Sequence, residues 1–286
     1  MLTVGFIGTG MMGNPMAMNL VKAGFPLIAF DKDRAAFQNL LSVGASAATS
    51  ISVLSQKSDL IISMVNDDQA TLEVFLGKDG VIEGVNGEKI AMVMSTLSPT
   101  TIHKLAKQLQ PIHFLDAPVS GGPIKAQNAS LAIMVSGDLE IYNESLPILK
   151  TMGKNVFYTG TIGSAMTIKL INNILGLANL LLTVEEMNLG LKAGIDLTKM
   201  IEVIKVSSGS NFYFYQWAEI RETFKYLTKD VQTLNSFLQT FIKDITLAEK
   251  YAQELSFYGP LIRLIKDEAI KIQAEIYRQK IMDIVQ

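Results

Sequence analysis

The chain contains no cysteine, which excludes disulfides, thiol catalysis and thiolate metal sites. That absence fits a reducing compartment, and a cytoplasmic location is the expectation. Histidine is nearly missing as well. His103 and His113 stand ten residues apart, with no helical or strand pairing that would aim both at one ion, so no metal site is expected. Charge is low and balanced, 25 basic against 27 acidic side chains for a formal net charge of −2, which leaves no electrostatic footprint for nucleic acid. The apolar start from Leu2 lacks a basic flank and is broken by Gly8, Gly10 and Gly13, so it reads as structure rather than a targeting signal. A second apolar stretch, Ile168 to Val184, carries Lys169, Asn172, Asn173 and Asn179, groups that are costly in lipid. A buried helix is expected there, not a membrane span.

What is present is enough apolar residue for a large core. At 286 residues the chain exceeds the usual single-core domain, so two domains are expected. With 49% hydrophobic residues against 18% charged, some surface is expected to be covered by a partner subunit, in a homo-oligomer such as a dimer or tetramer. Up to about Thr159, short β-type runs alternate with helical stretches: Thr3 to Ile7, Pro26 to Phe30, Leu60 to Val65, Ile90 to Met94, His113 to Ala117 and Leu131 to Ser136. That alternation predicts a doubly wound α/β sheet, and the near-continuous apolarity of the third and fourth runs predicts strands covered on both faces. After Gly160 the β-signals stop. Ser164 to Ala193 predicts one long helix of about 45 Å, apolar on most sides between Leu170 and Leu191 and therefore buried between domains or subunits. Everything from Leu197 onward has helical periodicity.

Gly8-Thr9-Gly10-Met11-Met12-Gly13 follows the first strand and opens a helix, the context a dinucleotide fingerprint requires. Gly8 permits the tight turn, Gly10 lets the backbone approach a pyrophosphate, and Gly13 lets helix and strand pack closely. Asp31 ends the second strand, eighteen residues past Gly13, where a carboxylate can accept from the adenosine ribose diol. NAD is favoured over NADP on that ground, although Lys32 and Arg34 are basic groups able to accommodate a 2′-phosphate.

The first block continues as Asn14-Pro15-Met16-Ala17-Met18-Asn19-Leu20 and ends Lys22-Ala23-Gly24, and in this the chain resembles the 3-hydroxyisobutyrate dehydrogenase-like, or β-hydroxyacid dehydrogenase, family. Three further blocks resemble it in the same order. Ser95-Thr96-Leu97-Ser98-Pro99 lies, in the family, beside the nicotinamide, so the resemblance gives Thr96 a cofactor role; by its residues alone it is a helix N-cap. Asp116-Ala117-Pro118-Val119-Ser120-Gly121-Gly122 resembles the substrate loop, and its serine and glycines offer a hydroxyl and open amides to a carboxylate. A strand-ending glycine turn has the same pattern. Just beyond it Lys125, Ala129 and Ser130 stand where the family more usually has glycine, glycine and threonine.

Gly163-Ser164-Ala165-Met166-Thr167-Ile168-Lys169-Leu170-Ile171-Asn172-Asn173 resembles the catalytic segment, with Ala165 in place of a frequent glycine. Lys169 and Asn173, four apart, share one helix face. By spacing alone Lys169 also fits a snorkelling lysine; the resemblance implies that it is the general acid/base and that Asn173 holds substrate with Ser120, Gly121 and Gly122. Phe241-Ile242-Lys243-Asp244 resembles a segment whose lysine approaches the cofactor, and equally suits a surface charge pair. The aromatic run Phe212 to Trp217 is expected to pack mainly in a core or subunit contact.

The expected architecture is therefore a Rossmann-type sheet domain over residues 1–162 and an all-α domain over 163–286, joined by a long inter-domain helix. The expected activity is hydride transfer between NAD, or NADP, and a small β-hydroxy acid meeting in the cleft between sheet domain and helix. Reduction of a semialdehyde of the tartronate or succinic type, and a catalytically silent dinucleotide-binding protein, are the alternatives.

Overall fold

Runs of apolar residue too short for a helix and bounded by glycine or proline build the first half of the chain into a sheet. The computed structural model describes residues 2–285. The chain runs β1 (Val4–Ile7), α1 (Gly13–Lys22), β2 (Leu27–Phe30), α2 (Gln38–Leu41), β3 (Ser46–Ala47), α3 (Ile51–Lys57), β4 (Leu60–Ser63) and α4 (Asp68–Leu76). It continues through β5 (Ile90–Val93), α5 (Pro99–Gln108), β6 (His113–Asp116), β7 (Val119–Ser120), α6 (Gly122–Gln127), β8 (Ala132–Ser136), α7 (Leu139–Met152) and β9 (Asn155–Gly160) into α8 (Ser164–Lys192). The strand order is β3-β2-β1-β4-β5-β6-β8-β7, with β9 on β8. From β3 to β6 all neighbours are parallel, and β8 then runs antiparallel to β6 and β7. Chain direction across the sheet reverses between β1 and β4, which opens a crevice beyond the carboxyl ends of those strands.

Alternation along each strand sorts the core into two layers. Val4, Phe6, Leu60, Ile62, Met92 and Leu115 pack on one face; Ile7, Ile61, Ala91, Val93 and Phe114 pack on the other. All four residues of β4 and of β5 are buried, as strands covered by helices on both faces require. Three strands carried no sequence signal. β3 and β7 are two residues long, and β9 is exposed or half-buried throughout, so no apolar period marks it.

Compact packing divides the chain after Lys169. The first turn and a half of α8 thus belongs with the sheet, where Met166 lies in the core beside Leu97. The second unit holds the rest of α8 with α9 (Leu197–Lys205), α10 (Phe212–Tyr215), α11 (Trp217–Leu227), α12 (Val231–Glu254), α13 (Pro260–Ile270) and α14 (Ala274–Val285). Asp196, Asn211 and Asp230 start three of these helices by accepting first-turn amides. Leu180, Val184 and Met187 of α8 form its core with Phe224, Leu234 and Ile281. The aromatic run divides: Tyr213 and Phe214 enter this core, while Phe212 and Tyr215 are exposed. Among the described residues α8 is the helix long and apolar enough to cross a membrane; its Leu180, Val184 and Met187 are covered by the core just described, while Leu175, Leu182 and Leu189 are exposed.

Candidate active site

The glycine loop between β1 and α1 has the geometry its residues require. Gly8 sits at φ +89°, and a Cβ on it would lie 2.3 Å from the Met64 carbonyl oxygen. On Gly13 a Cβ would fall 1.9 Å from the Gly8 oxygen. Only hydrogen fits at either place. Around Gly10, by contrast, nothing of the protein lies within 4 Å of a Cβ position, so the absent side chain leaves open space before the loop. The N-terminus of α1 has no side-chain cap and no acidic residue in its first turn, whereas Ser50, Asp67, Ser98 and Asp138 cap α3, α4, α5 and α7. Uncapped amides with their positive end on that space fit a pyrophosphate. The loop residues Gly8 to Gly13 can therefore hold a dinucleotide.

Asp31 is tied to the same loop. Its Oδ2 accepts from the Thr9 N–H at 2.7 Å and the Thr9 hydroxyl at 3.3 Å, and its Oδ1 accepts from the Asp33 N–H at 3.0 Å. A carboxylate offers about four acceptor sites, so room remains for a ribose hydroxyl. Asp31 thus fixes the loop as well as facing the crevice edge, a role its position in sequence did not disclose. Lys32 is exposed and pairs with Glu73 at 3.6 Å.

Thr96 follows β5 at the carboxyl edge of the sheet, half-buried, and the next amide, Leu97 N–H, donates to Met166 Sδ at 3.2 Å. Ser120 ends β7, followed by Gly121 at φ +138° and Gly122 at φ +70°. Nothing lies within 4 Å of a Cβ on Gly122, so the loop presents open backbone there. Lys169 is buried to 7% exposure. Its helix is anchored by Asp116, a fully buried carboxylate at the end of β6. Asp116 accepts from the Gly163 N–H at 3.1 Å, the Met166 N–H at 3.0 Å and the Ser136 hydroxyl. A side chain from the sheet thereby caps α8 three residues before the lysine. Burial pushes the Asp116 carboxyl above its ordinary value, and its hydrogen bonds to Ser136, Gly163 and Met166 draw it back down.

The second unit has a buried acid of its own. Asn173 is 8% exposed, and its Nδ2 donates to Asp244 Oδ2. Asp244 is buried to 2% and lies 3.0 Å from Lys243 Nζ through its other oxygen. Asn173 Oδ1 accepts from Asn172 at 3.1 Å. Asn173 and Lys243, seventy residues apart, are thus joined through one carboxylate. The histidines do not meet: His103 lies against Gly163, and His113 is exposed at the start of β6. Among the described residues no three His, Asp or Glu side chains gather around a possible metal position.

Comparison with known proteins identifies the family of both parts of the chain. Residues 3–160 match the model of the NAD binding domain of 6-phosphogluconate dehydrogenase, and residues 163–282 match that described as NAD-binding of NADP-dependent 3-hydroxyisobutyrate dehydrogenase. The chain is 34% identical to an NAD-dependent L-serine dehydrogenase of Pseudomonas aeruginosa over 267 residues, 91% of this chain and 89% of that one. The chain belongs to the β-hydroxyacid dehydrogenase family, of the 3-hydroxyisobutyrate dehydrogenase type. It is 36% identical to the mitochondrial 3-hydroxyisobutyrate dehydrogenase of Rattus norvegicus over 208 residues, 72% of this chain and 62% of the rat enzyme's length. It shares the fold of 3-hydroxyisobutyrate dehydrogenase from Mycobacterium tuberculosis, with a TM-score of 0.84, 24% identity and 99% of each chain covered.

Two buried acids that order this arrangement escaped the sequence reading, Asp116 and Asp244. Both stand inside the motif blocks, and their signal was an acid in a segment otherwise apolar or destined for burial. Their partners Gly163, Met166 and Asn173 lie 47 to 71 residues away, where no local pattern reaches. Because burial holds the Asp116 pKa above its unfolded value near 3.8, the folded state binds the extra proton. Its contribution to stability is therefore fully present below that value and is lost as pH rises through the folded pKa. Asp116→Asn is expected to remove this slope, read as a change with pH in the difference between urea midpoints of parent and variant. A difference that is constant with pH would sink the assignment.

Proposed function

We propose that this chain is an NAD(P)-dependent dehydrogenase that acts on a small β-hydroxy acid of the 3-hydroxyisobutyrate kind, with Lys169 as general acid/base. The observation that carries this reading is the buried Lys169 side chain, placed three residues beyond the point where Asp116 pins α8. When bound, NAD(P) accepts or supplies the hydride. The Gly8–Gly13 loop and Asp31 would hold its pyrophosphate and ribose, with Thr96 contributing a contact. Ser120, Gly121 and Gly122 supply a hydroxyl and open backbone to the substrate carboxylate. In oxidation neutral Lys169 Nζ takes the hydroxyl proton; in reduction its ammonium returns a proton to the same oxygen. The two directions therefore need opposite protonation states of one group.

Lys169→Ala is expected to lower kcat by roughly 10² to 10⁴ while leaving NADH affinity nearly unchanged. Steady-state rates with 3-hydroxyisobutyrate, alongside fluorescence titration of NADH, separate the two quantities. Turnover within a few-fold of the parent would remove Lys169 as the acid/base.

NAD(H) is the preferred cofactor in this reading, because the Asp31 carboxylate accepts from a ribose diol and repels a 2′-phosphate. The expected result is a higher kcat/KM with NAD(H). An equal or better value with NADP(H) overturns it.

The protein is also proposed to self-associate through α8. Leu175, Leu182 and Leu189 recur at seven-residue intervals along this helix and are all exposed, a seam of the kind that pairs helices. Light scattering at micromolar concentration is expected to give a multiple of the monomer mass; a stable monomer would exclude the seam as an interface.

A further inference from the structure

Lys125, Ala129 and Ser130, three of the positions where the sequence departs from the family's usual residues, form one turn in the structure. Ser130 donates both its backbone N–H, at 2.9 Å, and its hydroxyl, at 3.4 Å, to the Lys125 carbonyl. Ala129 lies in the left-handed region of that turn, at φ +52°. The helix that carries Lys125 is tied in turn to α1, since the buried Asn19 amide donates to the Ala126 carbonyl at 2.7 Å. The Lys125 backbone is therefore fixed relative to the helix that follows the dinucleotide loop.

From this position the lysine stem runs back along the substrate loop. A Cβ on Gly121 would come 2.8, 2.9 and 3.2 Å from Cβ, Cδ and Cγ of Lys125. Glycine at 121 thus serves two purposes: it adopts φ +138°, and it leaves room for the lysine. Between Asp116 and Asp138 Lys125 is the sole charged residue. Asp116 itself faces away, committed to Gly163, Met166 and Ser136. Lys125 therefore carries the one charge of residues 117–137 on a stem that lies against Gly121.

We propose that Lys125 is a specificity-determining residue that selects acids bearing an oxygen-containing group on C2 and rejects those bearing an ammonium there. The inference rests on the reading of Ser120–Gly122 as the carboxylate-binding loop. A cation beside that loop attracts the carboxylate of every candidate alike, so it discriminates through whatever else C2 carries. In the series HOCH₂–CH(X)–COO⁻, X is methyl in 3-hydroxyisobutyrate, ammonium in serine and hydroxyl in glycerate. Lys125 repels the ammonium, donates to the hydroxyl and gains nothing from the methyl. The substrate class so selected is the 2,3-dihydroxy acids, with the corresponding 2-hydroxy semialdehydes in the reverse direction.

The test is kcat/KM for glycerate, serine and 3-hydroxyisobutyrate in the parent, Lys125→Met and Lys125→Arg, with melting curves to establish folding. Neither variant shortens the stem, so its packing on Gly121 is retained. The parent is expected to prefer glycerate to serine, and Lys125→Met to reduce that preference at least about tenfold. Lys125→Arg keeps the charge and should keep the preference. A glycerate-to-serine ratio that stays within about twofold in Lys125→Met, in an active and folded protein, overturns the role of Lys125 alone. A parent that binds NADH yet turns over none of the three acids overturns the loop assignment, and the inference with it.

Discussion

A carboxylate with no access to water, Asp116, sets the geometry on which much of the first unit's chemistry depends. Removing such a group from solvent costs several kcal/mol in principle unless hydrogen bonds replace the water it loses. Here the backbone of Gly163 and Met166 and the hydroxyl of Ser136 supply those bonds. The consequence is positional. β6, β8 and the start of α8 are bound to a single side chain, and Met166 is drawn into the core, where its sulfur takes the Leu97 amide. Thr96, Ser120 and Lys169 each lie within a few residues of a group in this network, so their relative placement follows from one buried charge.

The same economy recurs at the other acids of the site. Asp31 holds the glycine loop through Thr9 while keeping an acceptor for a ligand. Asp244 orients the Asn173 amide and balances Lys243. In each case a carboxylate orders a neighbouring polar group before any ligand arrives, which lowers the entropy lost on binding. It also means that an alanine at Asp31 or Asp244 removes a hydrogen bond on which the neighbouring Thr9 or Asn173 relies.

The main strands and helices were legible because their signals are local. Leu60–Ser63 and Ile90–Val93 are apolar throughout since both faces are covered, and Ser98 followed by Pro99 marks a helix start that the structure realises, with Ser98 capping Thr100. Gly24 is a stop for α1, at φ +89°. The strands that went unseen, β3, β7 and β9, are too short or too exposed to imprint a period. Ser120 and Gly122 could be read only as a glycine turn or, by resemblance, as a substrate loop, since a carboxylate cradle and a plain turn use the same residues.

By itself the sequence determined the order of the main strands of the sheet and the long helix after them, the dinucleotide loop with its acid at Asp31, and the four-residue spacing of Lys169 and Asn173. Each of these is written in a span short enough for backbone sterics and periodicity to act. Tertiary structure alone decided that Asp116 caps α8, that Asp244 joins Asn173 to Lys243, and that the Lys125 stem lies along Gly121. Two of these are contacts between segments far apart in the chain, and the third depends on a backbone turn closed by Ser130. They arise only once burial has removed water as the competing partner, so that a polar group must find its hydrogen bonds within the fold.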